Sequence, residues 1–226
     1  LGGGVISDPD NYGSYIGVTP IGSALGLSSA DSTFEGGVGN WLKYPSNGDH
    51  TLEEETSIKH SGSKSLKITY SVDNETNGWY ARSAVFTLIT GKWYQFSGWV
   101  YIPSGNTGSL NGNNSGMFLT QGQSFDTDTD AENEIKIKAD FDIKDTWQYM
   151  ETRFQAGTQP SDSVDDPNNG RIYLRASGST QTDGDILYWD DIYCHELGYG
   201  YSSDTGQDLN IAGTSTDLNL LGSDDF

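Results

Sequence analysis

Two adjacent aspartates, Asp190 and Asp191, lie inside the strand-like stretch LYWDDIYCHEL at residues 187–197. Adjacent side chains of a strand point to opposite faces, so we expect Asp190 to share a face with Ile192 and Asp191 to share the other with Trp189. One of the two carboxylates should therefore meet an apolar layer. A carboxylate in that position is costly unless it is paired, hydrogen-bonded or bound to a metal ion. The pair predicts one structural carboxylate in this strand.

No group of residues typical of catalysis stands out in the sequence. With 32 Asp and Glu residues, a chance pair of carboxylates is expected and identifies no acid–base site. The sequence contains no G-x-S-x-G or H-E-x-x-H motif and no phosphate-binding glycine loop. His50, His60 and His195 are widely separated, which argues against zinc, and Cys194 is expected to be a small buried hydrophobe. We expect a protein that is not an enzyme.

The acidic run FDTDTDAENE at residues 125–134 begins like a calcium-binding EF-hand loop. However, Ala131 replaces the glycine of that loop and Ile137 replaces its bidentate glutamate, so we reject the EF-hand interpretation. A solvated acidic loop and a weak calcium site remain as the two alternatives.

The charge balance of the chain limits its partners. Twelve Lys and Arg residues against 32 Asp and Glu residues give 12 − 32 = −20, which argues against a nucleic acid or an anionic membrane surface. Neutral polymers, cations and basic proteins remain. No apolar run approaches the roughly 18 residues that a membrane-spanning helix needs.

The central part of the chain must supply the strands that position these residues. Short runs rich in β-branched and aromatic residues alternate with turn signals, which predicts an all-β protein, a β-sandwich. In WYQFSGWVYI, residues 93–102, alternate residues such as Phe96 and Val100 form an apolar face, and the opposite face carries Trp99 and Tyr101. In RIYLRA, residues 171–176, the same alternation predicts one core face and one face open to solvent.

Both ends of the chain differ from its centre. Residues 1–42 and 176–226 contain no Lys or Arg, and residues 1–30 and 199–226 are rich in Gly, Ser and Asp with scattered hydrophobes. We predict two extended arms of these bounds around a domain at residues 31–198. The near-repeat QDLNIAG and TDLNLLG in the second arm favours contacts with other protein subunits, because strand-like segments with open edges add to a neighbouring sheet. Docking along the protein's own sandwich is the alternative.

Five motifs, taken in order, resemble those of a known family. STFEGGVGNW (32–41), HSGSKSLKI (60–68), TGKWYQFSGWVYI (90–102), TWQYMETRF (146–154) and LYWDDIY (187–193) are similar to the jelly-roll carbohydrate-binding modules of the family-4 and family-9 type. The resemblance covers about residues 31–198. It implies a jelly-roll β-sandwich and the binding of glycans.

The resemblance also implies a structural calcium ion. Modules of this type usually carry one where the first strand, the loop before the SLKI-like strand and the last strand meet. Carried over to this sequence, its ligands would be Asp190, Glu35 and backbone carbonyls near Thr33 and from Gly62 to Lys64. Calcium would neutralise a carboxylate held against the core. A salt bridge from Asp190 to a lysine such as Lys64, or a capping hydrogen bond, is the alternative, and Asp191 is expected to be solvated.

The exposed concave sheet face is the usual glycan site of such modules, so the solvent-facing positions derived above are candidates. They are Trp99, Tyr101, Gln95, Tyr173 and Arg175, and the segment GWYARS at residues 78–83 adds Tyr80 and Arg82. Aromatic rings cover the faces of sugar rings, and Arg and Gln bond their hydroxyls. Packing in the core or over the sheet surface is the alternative role for each aromatic residue.

Two functions compete at this point. The first is a non-catalytic module that binds a neutral polysaccharide or a cell-surface glycan. The second is a structural subunit of a large assembly, such as a virion decoration or tail protein or an extracellular fibre, in which the arms bind neighbouring subunits. Both place the protein outside the cell or on a virion surface.

Overall fold

The structure is a computed structural model that describes residues 27–44, 50–70, 79–107, 115–121, 134–157, 169–176 and 183–197. This part of the chain contains one short helix, α1 (Ser29–Thr33), and eleven strands. The strands are β1 (Leu42–Tyr44), β2 (Thr51–Glu55), β3 (Ser65–Thr69), β4 (Trp79–Arg82), β5 (Phe86–Thr87), β6 (Trp93–Tyr101), β7 (Gly116–Gln121), β8 (Glu134–Ile137), β9 (Trp147–Gln155), β10 (Asn169–Ala176) and β11 (Ile186–Glu196).

The strands form two antiparallel sheets that pack face to face. The six-stranded sheet has the order β1-β4-β10-β7-β8, with β5 paired to β10. The five-stranded sheet has the order β2-β3-β11-β6-β9. The prediction of an all-β jelly-roll sandwich is confirmed.

The core lies between the sheets and follows the alternation seen in the sequence. In β6, Tyr94, Phe96 and Val100 are fully buried in it, and in β10 Ile172 and Leu174 are fully buried. A buried aliphatic or aromatic side chain of this size stabilises the fold by about 1.5–3 kcal/mol. The predicted core faces of these two strands are therefore confirmed, as is the burial of Cys194.

The segment that leads into the first strand is held by Asp31. Ser28 caps helix α1 by accepting the backbone N–H of Asp31, and the carboxylate of Asp31 accepts the backbone and side-chain N–H groups of Asn40 at 2.8 Å each. The indole N–H of Trp41 donates to the carbonyl of Asp31 at 2.9 Å. These bonds close the 35–40 turn, which fixes the position of Glu35.

Several sequence predictions fall outside the described residues. Residues 1–26 and 198–226, which include most of both predicted arms, are outside them, and so is the acidic run up to residue 133. The arms and their contacts with other subunits stay predictions. Within the described ranges, no helix has both the length and the apolar character needed to cross a bilayer.

Gly98, in the middle of β6, sets the distance between the sheets. A Cβ atom at this position would lie 2.5 Å from Cδ1 of Ile192 and 2.6 Å from Sδ of Met117, which belongs to the other sheet. We therefore expect Gly98→Val to lower the free energy of unfolding by about 1–3 kcal/mol, as overpacking of cores does. Urea denaturation measures the effect.

Gly105 provides the matched control, because a Cβ atom there would meet nothing within 4 Å. Gly105→Ala should leave the free energy of unfolding within about 0.5 kcal/mol of the original value. Equal stability of the Gly98→Val protein and the unsubstituted protein would contradict this account of the core.

Candidate functional site

The two aspartates of β11 point to the same side of the five-stranded sheet. The pairing of β11 with β6 shifts register between Asp190 and Tyr193, and Asp191 has a left-handed backbone with φ of 50°. This bulge adds a residue to β11, so the alternation that holds before it is broken. The prediction that adjacent side chains face opposite ways is wrong here: Ile192 returns to the core, and both carboxylates face the 56–64 loop between β2 and β3.

Asp190 is buried and satisfied by backbone N–H groups. Its Oδ2 accepts the N–H of His60 at 2.9 Å and that of Ser61 at 3.1 Å, and its Oδ1 accepts the N–H of Asp191 at 2.8 Å. Burial nevertheless raises the pKa of Asp190 to about 6, and the neighbouring Asp191 carboxylate adds to the rise. Of the alternatives given above, the hydrogen-bonded one is observed, since Lys64 pairs instead with Glu54 at 2.9 Å.

Asp191 holds the same loop through side chains. Its Oδ2 lies 2.7 Å from Nδ1 of His60, and its Oδ1 accepts the hydroxyl of Ser61 at 2.9 Å and that of Tyr193 at 3.3 Å. Burial, followed by the charge of Asp191, raises the pKa of Tyr193 to about 12. The expectation of a solvated Asp191 is wrong, because only 9% of this residue is exposed.

Glu35 binds the far end of the same loop. Its Oε1 accepts the N–H of Ser63 at 2.7 Å and that of Lys64 at 3.0 Å, and its Oε2 accepts the hydroxyl of Ser63. These bonds lower the pKa of Glu35, the side-chain bond from Ser63 most of all. A Cβ atom at Gly62 would lie 2.2 Å from Oε1 of Glu35, so the loop passes the carboxylate closely.

Of the predicted calcium residues, Asp190 and Glu35 both bond the loop that contains Gly62 and Lys64, and Thr33 ends helix α1 two residues before Glu35. Calcium needs six to eight oxygens turned to one point. As arranged, the carboxylates of Asp190 and Glu35 face N–H and O–H donors, so the set does not fit a calcium ion. Across the described ranges, no cluster of three or more His, Cys, Asp or Glu side chains could hold a metal ion.

The outer face of the five-stranded sheet carries aromatic rings that cover one another. The His60 imidazole stacks on the Trp99 indole with ring centroids 3.8 Å apart and an interplanar angle of 18°. Tyr101 packs against Trp147 at 5.6 Å and against Tyr188 at 5.8 Å. The sequence placed Trp99 and Tyr101 on the outer face correctly, but His60 covers a ring face of Trp99 and aromatic neighbours flank Tyr101.

Glu151 organises the polar part of this face. It accepts the Tyr149 hydroxyl and the Gln95 amide at 2.8 Å each, and it pairs with Arg153 at 2.8 Å. The predicted candidate Gln95 is therefore already bonded within the sheet. Tyr149, with 49% of its surface exposed, is the most accessible of the aromatic residues just described.

The outer face of the six-stranded sheet holds the other predicted candidates. Cross-strand pairing puts Arg82 beside Tyr173 and Tyr80 beside Arg175. The prediction that this face of β10 is open to solvent is wrong for Tyr173 and Arg175, which are 1% and 3% exposed; Phe118 and Tyr44 pack against Tyr173. The structure describes Tyr80 by its backbone position only. One row of paired positions runs across the sheet through Leu42, Arg82, Tyr173, Phe118 and Lys136. The predicted set of seven residues is thus divided between two faces on opposite sides of the sandwich and does not form a single surface.

Cations lie over aromatic rings on this second face. The Arg82 guanidinium is 4.4 Å from the centroid of the Tyr44 ring, and Nζ of Lys136 is 5.7 Å from that of Phe118. Phe118 and Tyr173 form a buried cluster separate from the main core, with Tyr44 against it. The Nε atoms of Arg82 and Arg171 are buried and have no hydrogen-bond partner in the structure.

Sequence reasoning missed four residues of this face: Tyr44, Phe118, Lys136 and Arg171. The alternation in RIYLRA placed Arg171 on the side opposite Ile172 but did not single it out. Phe118 showed no alternation pattern in the sequence. All six residues of its strand, GMFLTQ, are buried, so apolar and polar residues do not alternate there.

Removal of the Asp190 carboxylate should destabilise the fold. In Asp190→Ala the N–H groups of His60 and Ser61 lose their acceptor, which costs about 1–3 kcal/mol for each buried group left unsatisfied. Asp190→Asn keeps one acceptor oxygen and should cost less. Urea denaturation compares the two with Glu53→Ala, which removes an exposed ion pair to Lys67. An Ala variant no less stable than the Glu53 control would contradict the role of Asp190.

The calcium ion expected from the resemblance stays a prediction, and thermal unfolding decides it. Because donors of the loop already satisfy Asp190 and Glu35, we expect a chelator to leave Tm unchanged. If calcium binds the folded protein, a hundredfold excess over its Kd should instead add about 2.7 kcal/mol of stability. A rise in Tm with calcium would support the ion.

Two curated proteins are similar to part of this chain. Endo-1,4-beta-xylanase A of Thermotoga maritima is 38% identical over 77 residues, which make up 33% of this chain and 7% of that enzyme. Endo-1,4-beta-xylanase A of Thermotoga neapolitana is 36% identical over 77 residues, with the same coverage. The chain spans less than a tenth of the length of these relatives.

Two solved xylan-binding domains and one domain family are similar to this chain. The chain is similar to the CBM22-2 xylan-binding domain from Paenibacillus barcinonensis Xyn10C, with a TM-score of 0.46, 22% identity and coverage of 74% of this chain and 98% of that one. For the CBM22-1 xylan-binding domain of the same protein, the TM-score is 0.47 and the identity 11%, with coverage of 74% and 92%. Residues 30–165 match the family described as a carbohydrate binding domain, CBM_4_9. Since this match covers more than half of the chain, the protein belongs to the carbohydrate-binding domain family CBM_4_9.

Proposed function

We propose that the protein binds a polysaccharide through the outer face of the six-stranded sheet and performs no catalysis itself. The observation that carries this proposal is a pair of partly exposed arginines, Arg82 and Arg171, on a sheet face where the Arg82 guanidinium lies over the Tyr44 ring. The Nε atoms of both are buried, so a ligand would meet the terminal N–H groups of the two guanidinium groups. Oxygen atoms of a ligand accept such N–H groups, and in a carbohydrate-binding family the ligand is a glycan.

Tyr44 and Arg82 are the residues that we place in contact with the sugar. Both are partly exposed, and Cζ of Arg82 lies 4.4 Å from the centroid of the Tyr44 ring. A guanidinium over an aromatic ring can still donate its terminal N–H groups to hydroxyl oxygens. Tyr173, Phe118 and Arg175 lie on the same sheet face but are almost fully buried, so we do not place them in contact with the sugar.

The outer face of the five-stranded sheet is less suited to stacking a sugar. His60 covers a ring face of Trp99 in parallel at 3.8 Å, and Asp191 holds His60 there. Its polar groups are engaged with one another through Glu151. A sugar ring would have to displace these internal contacts before it could stack.

The names of the curated relatives suggest the first ligand to test. Both are endo-1,4-beta-xylanases that match this chain over 77 residues. We therefore propose a plant cell-wall polysaccharide such as xylan as the ligand class, and with it an extracellular location. The alternative of an assembly subunit on a virion or fibre rests on the arms and stays a separate prediction.

Substitutions on the two faces test the proposal directly. Arg82→Ala and Tyr44→Ala should weaken binding to soluble xylan by about tenfold or more, because each removes a contact worth about 1.4 kcal/mol. Tyr101→Ala and Tyr149→Ala, on the opposite face, should bind as the unsubstituted protein does. Isothermal titration calorimetry measures the Kd values, and thermal unfolding checks each fold.

Two results would overturn this assignment. If Tyr101→Ala loses binding while Arg82→Ala keeps it, the five-stranded face is the glycan site. If xylan and a panel of other cell-wall polysaccharides all fail to bind the intact protein, glycan binding itself is wrong.

A further inference from the structure

We infer that the outer face of the six-stranded sheet selects polysaccharides that carry carboxylates, that is, chains with uronate residues. This inference rests on the proposed function, because it concerns the ligand class of the same face. The chain as a whole is acidic, whereas the described strand positions of this surface are mainly basic.

Positive charge is concentrated on this face of an acidic protein. The chain has a net charge of −20 and only four arginines, at positions 82, 153, 171 and 175. Strand register puts three of them on the outer face of the six-stranded sheet, together with Lys136. In the strands that the structure describes, Glu134 is the one acidic position on that face, at its β8 edge.

The opposite face of the sandwich has the reverse balance. The outer positions of the five-stranded sheet carry Glu53, Glu55, Asp190 and Glu151 against Lys67 and Arg153. Those two cations lie near carboxylates of the protein itself, with Lys67 3.4 Å from Glu53 and Arg153 2.8 Å from Glu151. The concentration of cations is therefore a property of one face and not of the sandwich in general.

Arg82 and Arg171 differ from those two cations in the part of the chain that the structure describes. Among the described residues no ion pair involves either of them, and the Nε of each is buried without an acceptor. A guanidinium offers parallel N–H groups that match the two oxygens of a carboxylate. Charge-assisted bonds of this kind are about twice as strong as bonds to neutral oxygens. A carboxylate of the ligand would supply both hydrogen-bond acceptors and a negative charge, whereas a hydroxyl would supply only an acceptor.

The spacing of these arginines suits a polymer. Arg171 and Arg175 are four residues apart on β10, which corresponds to about 13 Å along a strand. Arg82 lies between them, opposite Tyr173. Arg82 and Arg171 are partly exposed and can each meet a residue of such a chain, whereas Arg175 is only 3% exposed and does not face the ligand. The carboxylates on the outer face of the five-stranded sheet act weakly on such a ligand, because salt screens charges over about 8 Å at physiological ionic strength and packed sheets lie about 10 Å apart.

Binding to polygalacturonate and to the same polymer after methyl esterification tests the inference, since the two differ only in their free carboxylates. Measured by calorimetry at physiological ionic strength, we expect the intact protein to bind the free acid about tenfold more tightly than the ester. Arg171→Gln should remove that preference. Arg171→Lys should keep part of it, because the charge remains and the fork geometry is lost.

Arg153→Gln is the matched control, because it removes the same charge from the opposite face and should leave the preference unchanged. Arg82→Gln is a second variant in case Arg171→Gln fails to fold, as judged by thermal unfolding. Polyglutamate, a carboxylated polymer without sugars, should bind at least about tenfold more weakly than polygalacturonate.

The outcomes separate this inference from the function on which it rests. Equal binding of the acid and the ester, or binding of xylan without any preference for acidic polymers, overturns the inference and leaves glycan binding standing. Loss of the preference in Arg153→Gln as well, or tight binding of polyglutamate, also overturns it, because either result reports overall charge. Failure of every polysaccharide to bind overturns the proposed function too.

Discussion

Hydrogen bonds between the β11 carboxylates and the loop at residues 60–61 constrain which surface of the sandwich can face a ligand. The bulge at Asp191 turns both carboxylates toward this loop, and Asp191 fixes the His60 ring at 2.7 Å. His60 then lies flat on Trp99, in the middle of the five-stranded outer face. The hydrogen bonds that satisfy the two carboxylates therefore also cover part of an aromatic surface of the five-stranded sheet.

Backbone N–H groups bond the buried Asp190 carboxylate, for which the family resemblance implies a calcium ion. Its Oδ2 receives two of them, yet desolvation still raises its pKa to about 6. The loop that supplies these N–H groups also binds Glu35 at its other end. The loop is thus tied both to the segment that follows helix α1 and to the central strand β11, although these segments are far apart in sequence. Hydrogen bonds at both ends therefore hold the 56–64 loop in a defined position.

Net charge and local charge lead to different conclusions about the ligand. The net charge of −20 argues against partners whose field acts on the whole protein, such as a nucleic acid or an anionic membrane. A ligand on a sheet face meets mainly the charges within a Debye length, and at the described strand positions of the six-stranded outer face the charged residues are predominantly arginine and lysine. Composition therefore describes long-range behaviour well, but it does not describe a binding face whose residues come from separate strands.

The sequence by itself determined the β-sandwich class, the core faces of β6 and β10, the burial of Cys194 and, through five ordered motifs, the family. These features depend on alternation within a strand, which neighbouring residues already contain. Only the tertiary structure decided that Trp99 and Arg82 lie on opposite faces, because alternation indicates that a side chain points outward but not which sheet the strand joins. The orientation of Asp191 was also decided there. The bulge is held by partners about 130 residues away, His60 and Ser61, and a contact of that sequence separation leaves no local pattern to read.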